Sequence, residues 1–175
     1  MKHMLFIRSL IFNCWFFFWT TMMTLLAFFW GMFGYYNTVR VAIMWGRGMM
    51  FMAKHVLNLT TEIRGLENVP KDQPYIFACK HQSAYDTTLI QILAPRTAVI
   101  MKKELLNIPV FGQVLLFSKA ILLDRSKGKR VIPQLIEGAK ERVAQGRGVF
   151  MYPEGTRTQA GVRAPYKQGI FSLYE

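Results

Sequence analysis

The sequence contains one long stretch without a charged residue, which lies between Arg8 and Arg40 and reads SLIFNCWFFFWTTMMTLLAFFWGMFGYYNTV. A helix of that span would be about 45 Å long, which exceeds the roughly 30 Å of hydrocarbon in a bilayer. A secretory signal has a shorter apolar region followed by a small-residue cleavage site, and the stretch fits neither property. The pattern predicts an N-terminal membrane anchor; a buried core helix is the alternative.

The segment that follows, RVAIMWGRGMMFMAKHVLNL, is basic on one side. Arg40, Arg47 and Lys54 recur every seven residues, so a helix would keep them on one face. Apolar side chains fill much of the rest, which predicts a basic amphipathic helix lying on an anionic membrane surface. The alternative is a helix packed on the protein with a solvated basic edge. Gly46 and Gly48 weaken the prediction of a helix.

The charge balance also bears on partners, because 22 Lys and Arg face 10 Asp and Glu, a net charge of +12. A basic chain usually meets an anionic partner, and the 52% hydrophobic content favours anionic lipid. A nucleic-acid-binding groove would interleave aromatic with basic residues, whereas here the aromatic residues are concentrated before Asn37. We therefore predict no nucleic-acid partner. Cys14 and Cys79 are too few for a disulfide framework and indicate a reducing compartment.

From about residue 60 the sequence pattern becomes that of an α/β domain. The short apolar runs TEIRG, YIFAC, TAVIM, AILLD and GVFMY read as strands. Between the last two, an apolar residue stands at every fourth position from Val131 to Val143, which predicts a helix ended by Gly146. Strands that alternate with helices predict an α/β fold with a mostly parallel sheet flanked by helices. We assign this domain to residues 59–175 and the membrane segment to residues 1–58.

The stretch ACKHQSAYDTT places His81 and Asp86 directly after the second of these strands. Five residues along one regular helix would turn the two side chains about 140° apart. They can therefore converge only if His81 lies in the loop after the strand and Asp86 lies in or near the first turn of a helix. The pair then fits a general base oriented by a carboxylate, with an ordinary loop histidine as the alternative.

Charged residues follow three other predicted strands. Lysine and arginine suit phosphate groups, and the arginine fork can bind two phosphate oxygens at once. Because the carboxyl ends of parallel strands meet at one edge of a sheet, where ligands bind, we expect these residues to lie together. For the last group, a capped loop with a surface ion pair is the alternative. The residues are Lys102 after TAVIM, Arg125 after AILLD, and Glu154, Gly155, Thr156 and Arg157 after GVFMY.

The motifs KHQSAYD and YPEGTRT, in this order and about seventy residues apart, resemble the first and third blocks of the glycerolipid acyltransferase family. The family's intermediate Gly-x-x-Phe-x-x-Arg block is partly present in KAILLDR, where Arg125 is retained but Lys119 and Leu122 replace the glycine and the phenylalanine. The resemblance covers residues 60–175. The family's fourth block has no counterpart, so we expect a sequence truncated at its C-terminus.

The resemblance implies a membrane-bound enzyme that transfers a fatty acyl group to the sn-2 hydroxyl of 1-acyl-glycerol-3-phosphate (lysophosphatidic acid). It implies acyl-CoA or acyl carrier protein as the donor, no metal and no other cofactor, and a place on the cytoplasmic face of the inner membrane, in contact with anionic lipid. Its implied site residues are His81 and Asp86 for catalysis, and Lys102, Arg125, Glu154, Gly155, Thr156 and Arg157 for the substrate phosphate.

Other functions stay open on the sequence alone. Within the family, the acceptor could be glycerol-3-phosphate, another lysophospholipid or a lyso-ornithine lipid. A membrane-anchored hydrolase would need a nucleophile loop such as Gly-x-Ser-x-Gly, which the sequence lacks. A non-catalytic membrane scaffold would leave the converging charged residues unexplained.

Overall fold

The computed structural model describes residues 2–174, with the side chains of residues 2, 127 and 129 excepted. A helical hairpin precedes an α/β domain built on one four-stranded sheet. Three short 3-10 segments lie in the connections, at Leu66–Asn68, Lys103–Asn107 and Arg125–Arg130. The helices and strands are α1 (Lys2–Gly31), α2 (Tyr35–Leu57), β1 (Ile76–Ala78), α3 (Asp86–Leu93), β2 (Ala98–Lys102), α4 (Phe111–Phe117), β3 (Ile121–Leu123), α5 (Val131–Ala144), β4 (Val149–Met151) and α6 (Gly169–Tyr174).

The sheet is parallel throughout, with strand order β1-β4-β2-β3. Successive residues of β4 point to opposite faces, so the two faces have separate cores. Val149 packs with residues of α5 on one face, and Phe150 packs with Ile90 and Ala94 on the other. The predicted α/β class, with a mostly parallel sheet between helices, is confirmed.

Four of the five predicted strands are present, but the first, TEIRG, is not a strand. Its residues are irregular, although β1 lies at an edge of the sheet and could accept a partner. The run has one large apolar residue, Ile63, so pairing would bury little surface. It ends at Gly65, whose φ of 82° lies in the left-handed region and breaks an extended backbone.

The uncharged stretch is not one helix, because α1 ends at Gly31 and α2 begins at Tyr35. Gly34, with φ 130°, makes the turn between them. The segment His3–Gly31 is long and apolar enough to cross a membrane, and many of its large apolar side chains are exposed. The charge-free sequence therefore contains the anchor candidate and also the first turn of a second helix.

Helix α2 packs on the protein, as in the alternative weighed for its sequence. Val41, Met49 and Ala53 are buried in the hairpin and against α3. The two glycines that weakened the helix prediction lie at close approaches: a Cβ on Gly46 would come within 2.7 Å of the Thr88 carbonyl oxygen, and one on Gly48 would overlap Trp19. Glycine is therefore required here for packing, and its helical propensity is secondary.

The hairpin is fixed by two reciprocal hydrogen bonds between its helices. The indole N–H of Trp19 donates to the Trp45 carbonyl oxygen at 3.1 Å, and the indole N–H of Trp45 donates to Thr20 Oγ1 at 3.0 Å. Met23, Ala27 and Val41 form a buried cluster beside these bonds. The hairpin thus presents a defined apolar surface to the α/β domain.

Candidate active site

His81 lies in the loop between β1 and α3, and Asp86 is the first residue of α3. Nδ1 of His81 lies 3.1 Å from Oδ2 of Asp86, and both side chains are largely buried. In the neutral imidazole that has its proton on Nδ1, this nitrogen donates to the carboxylate and Nε2 is left free to accept a proton. The predicted convergence of the two residues is therefore confirmed.

The Asp86 carboxylate also fixes the loop that carries His81. Its Oδ2 accepts the backbone N–H of Gln82 at 2.6 Å and that of Ser83 at 2.8 Å. Ser83 does not cap α3 through its side chain; its hydroxyl accepts the backbone N–H of Tyr85. The aspartate thus holds both the imidazole and the backbone of the two residues that follow His81.

These contacts set the charge state of Asp86. Burial alone raises the pKa of a carboxyl group, but here the hydrogen bonds from Ser83, Gln82 and His81 outweigh it and lower the pKa of Asp86 below its usual value. The carboxylate is therefore ionised at neutral pH. An ionised aspartate on Nδ1 stabilises the imidazolium that forms when Nε2 takes a proton.

The loop after β4 closes on the His81 loop from the neighbouring strand. Glu154 is 2% exposed, and its Oε2 accepts the backbone N–H of His81 at 2.9 Å. In return the backbone N–H of Thr158 donates to the His81 carbonyl oxygen at 2.7 Å. Gly155 has φ 72°, which favours glycine at the sharp turn of this loop. Glu154 thus orients the His81 loop from the protein interior, and it does not line the cavity.

Four strand ends contribute to one cavity of about 770 Å³ at the carboxyl edge of the sheet. Arg125, which follows β3, donates from Nη1 to the Gly155 carbonyl oxygen at 2.7 Å and so joins two of these ends. Arg157 is exposed and makes no hydrogen bond or ion pair with residues 2–174. The predicted site residues that line the cavity are His81, Lys102, Arg125, Gly155, Thr156 and Arg157.

A second part of the cavity wall is apolar, and the helical hairpin and α4 supply it. Sequence analysis placed the hairpin at the membrane but did not place it at the site. The wall residues include Met23, Ala27, Val41, Trp45, Val114 and Leu115. One cavity therefore joins a charged wall to an apolar wall, which suits a ligand with an anionic head and a hydrocarbon chain.

Two features escaped the sequence reasoning. Tyr152, the last residue of the predicted strand GVFMY, stacks on the His81 ring, a contact that the sequence does not indicate. The buried Arg147 lies under the ring of Tyr35, with 4.2 Å between its guanidinium carbon and the ring centroid. Within residues 2–174, the His, Cys, Asp and Glu side chains form no group that could hold a metal ion.

Comparison with known proteins places this site in context. The family model for acyltransferases matches residues 60–175. The chain is 33% identical over 129 residues to 1-acyl-sn-glycerol-3-phosphate acyltransferase of Pseudomonas aeruginosa, a match that covers 74% of this chain and 50% of the relative. It is 32% identical over 128 residues to the human alpha enzyme of that name, covering 73% of this chain and 45% of the relative. The chain thus spans about half the length of these relatives.

A solved structure resembles the whole arrangement. The crystal structure of the 1-acyl-sn-glycerophosphate acyltransferase from Thermotoga maritima matches with a TM-score of 0.74 at 23% identity, covering 95% of this chain and 69% of that chain. At this identity the likeness supports the fold. Its coverage includes the helical hairpin as well as the α/β domain.

The first prediction concerns the pH dependence of stability. The lowered pKa of Asp86 means that its carboxylate stabilises the fold above the unfolded value near 3.9 and that this contribution is lost as the pH falls through the folded value. We expect Asp86→Asn to lower the free energy of unfolding by about 2 kcal/mol at pH 7, since charge-assisted hydrogen bonds are weakened. Below about pH 4 the difference from the parent should shrink.

Chemical unfolding at pH 7 and at pH 3 measures the effect. Asp72→Asn, at an exposed aspartate, is the matched control and should change stability little at either pH. A deficit in Asp86→Asn that is equally large at both pH values would contradict an electrostatic contribution from the carboxylate.

Proposed function

The chain belongs to the acyltransferase family, and from this premise we propose that it transfers a fatty acyl group from an acyl thioester to the sn-2 hydroxyl of 1-acyl-glycerol-3-phosphate, giving phosphatidic acid. The observation that carries the proposal is the His81–Asp86 pair in a cavity with one cationic and one apolar wall. The names of the relatives support lysophosphatidic acid as the acceptor.

The chemistry assigned to the pair is direct transfer. Nε2 of His81 removes the proton from the acceptor hydroxyl while the hydroxyl oxygen attacks the thioester carbonyl carbon. Asp86 stabilises the imidazolium that results. When the tetrahedral intermediate collapses, the carbon–sulfur bond breaks and the imidazolium returns the proton to the leaving thiolate. The nucleophile is the substrate alcohol, so the site needs no nucleophilic side chain and no covalent acyl-enzyme.

The cationic wall is assigned to the acceptor phosphate. Arg157 is exposed at the cavity and is not engaged by another side chain, so its planar fork is available for two phosphate oxygens. Arg125 uses one N–H group on the Gly155 carbonyl oxygen and also lines the cavity. Lys102 adds a third positive charge at the end of β2. We assign Glu154, Gly155 and Thr156 to shaping the loop, with the buried Glu154 acting through the His81 backbone.

We assign the apolar wall to an acyl chain and the hairpin to the membrane. Helix α1 is long and apolar enough to cross a bilayer. Along α2, the exposed residues Arg40, Met44, Arg47, Phe51 and Lys54 form one stripe that combines basic and apolar side chains. Such a face suits an anionic lipid surface, and in this proposal that surface is the cytoplasmic face of the inner membrane.

The whole proposal is tested by an acyl-transfer assay with a panel of acceptors and both donor classes, acyl-CoA and acyl carrier protein. Lysophosphatidic acid should be the best acceptor. A clear preference for glycerol-3-phosphate, for another lysophospholipid or for a lyso-ornithine lipid would reassign the acceptor. No transfer to any of them would contradict the proposed activity.

The second prediction is that His81→Ala lowers kcat by at least about a hundredfold, because general-base catalysis contributes roughly 10²–10⁴. Membrane association should be unchanged, since the substitution lies in the α/β domain. Steady-state kinetics and vesicle flotation measure the two quantities. His3→Ala, at an exposed histidine of α1, is the control and should retain parental turnover. Near-parental turnover of His81→Ala would contradict the mechanism.

The third prediction separates acceptor from donor binding. Arg157→Lys keeps the charge but loses the two-point geometry, so we expect the KM for lysophosphatidic acid to rise about tenfold, with the donor KM little changed. A two-substrate kinetic comparison measures both. Arg163→Lys, at an exposed loop arginine, is the control. A selective rise in the donor KM would move the phosphate site to Arg125 and Lys102.

The fourth prediction concerns the stripe on α2. Replacement of Arg40, Arg47 and Lys54 by Gln should lower binding to anionic vesicles by about two orders of magnitude, since each charge near the surface contributes about 1 kcal/mol. Because α1 contributes apolar binding to every vesicle, the measured quantity is the ratio of binding to anionic and to zwitterionic vesicles.

A matched triple variant controls for net charge. Lys71, Lys140 and Arg163 are exposed basic residues outside α2, and their replacement by Gln removes the same charge. The ratio should change much less in this variant. Equal effects in the two variants would mean that the membrane responds to total charge and that α2 is not the docking face.

A further inference from the structure

The His81 imidazole is covered on one face by an aromatic ring. Tyr152, directly after β4, stacks on His81 with 3.9 Å between ring centroids and 16° between ring planes. Tyr152 in turn packs edge to face on the buried Phe150, which stacks on Phe77. The ring that touches the imidazole is therefore held by the core of the sheet, and it cannot move without disturbing that packing.

We assign no role in the reaction to the Tyr152 hydroxyl. Its oxygen is buried and makes no hydrogen bond within residues 2–174. Burial, and next the nearby Asp86 carboxylate, raise the pKa of the Tyr152 hydroxyl, so the group stays neutral. Since the oxygen is closed off from solvent, a substrate would not reach it in this geometry. The part of Tyr152 that contacts the His81 imidazole is the face of its ring.

We propose that Tyr152 is a positioning residue for the transfer reaction: the face of its ring holds the His81 imidazole in the plane set by Asp86 and stabilises the imidazolium that forms when His81 takes the acceptor proton. The inference rests on the proposed function. Physically, the face of an aromatic ring carries partial negative charge, so it attracts a cation that lies within about 6 Å of the ring centroid.

The charged groups around His81 explain why an uncharged aromatic face beside the imidazole would favour the reaction. Asp86 favours the imidazolium through Nδ1, but the arginines and the lysine of the cationic wall oppose a further positive charge. A second carboxylate facing the cavity would repel the acceptor phosphate, whereas an uncharged ring face would not. The charged and titratable groups around the pair are Cys79, Asp86, Lys102, Arg125, Glu154 and Arg157.

The test varies the charge on the ring face at nearly constant shape. Tyr152→Phe removes the hydroxyl and keeps the face, and incorporation of pentafluorophenylalanine at position 152 reverses the polarity of that face. The full-length protein in lipid nanodiscs is used throughout. Two quantities are measured: the titration of the His81 ring by NMR, and kcat/KM as a function of pH. His3 and His55, both exposed, provide reference signals, and His81→Gln assigns the third.

Tyr152→Phe should titrate like the parent and retain kcat/KM within about twofold. The fluorinated variant should titrate about one pH unit lower, which corresponds to a cation–π interaction of about 1.4 kcal/mol. The acid limb of its kcat/KM profile should move in the same direction, and its plateau should fall by up to about tenfold. Melting temperatures of all variants should agree within a few degrees.

The two hypotheses fail in different ways. If the fluorinated variant matches Tyr152→Phe in both titration and kcat/KM, the stacking is structural and the inference is overturned. If Tyr152→Phe loses as much activity as the fluorinated variant, the hydroxyl acts and the inference is equally overturned. If no protein in the series transfers an acyl group, but the His81 titration still follows the polarity of the ring, the proposed function fails while the stabilisation of the imidazolium stands.

Discussion

The site depends on one buried carboxylate that joins two strand ends. Glu154 accepts the backbone N–H of His81, although the two residues are 73 positions apart in the sequence. The contact exists because β1 and β4 are neighbours in the sheet, so that the loops leaving them emerge side by side. Without Glu154 the His81 N–H would lose its partner at a cost of about 1–3 kcal/mol, and the loop would lose one of the hydrogen bonds that hold it beside Asp86. The hydrogen bond from Thr158 to the His81 carbonyl makes the connection reciprocal.

Much of the fold follows from the sequence where burial on both faces imposes a simple pattern. The four observed strands are short apolar runs between helices, and each was predicted, because a parallel strand covered on both sides needs no polar alternation. TEIRG misled because its alternation fits an exposed strand, whereas its one large apolar residue would bury little surface against β1 and Gly65 breaks the extended backbone. The two glycines of α2 misled for a related reason. Their low helical propensity is visible in the sequence, whereas the close approach of Trp19 and the Thr88 carbonyl is visible only in the packed structure.

The convergence of His81 and Asp86 was predictable from their spacing and from their place after a strand, since only a loop followed by a helix start brings them together. The hydrogen bonds that Asp86 accepts from the N–H groups of Gln82 and Ser83 could not be predicted, because a short loop can adopt several conformations and the sequence does not distinguish between them. Tyr152 was also missed as a site residue. An aromatic side chain after an apolar strand ordinarily continues the core, and Tyr152 does so against Phe150, but its other face lies on the imidazole. One residue thus belongs to the core and to the site.

Helix α2 contributes both to the cavity and to the stripe that we propose to contact lipid. Val41 of α2 is buried and lines the cavity, while its neighbour Arg40 is exposed on the stripe assigned to the lipid surface. Because a helix is stiff over this distance, the proposed contact of Arg40, Arg47 and Lys54 with lipid headgroups would also fix the position of Val41 in the apolar wall of the cavity. The hydrogen bonds of the Trp19 and Trp45 side chains join α1 to α2, so the two helices are positioned together. Under the proposed function, α2 would thus both contact the lipid surface through its exposed stripe and line the cavity that receives the acceptor.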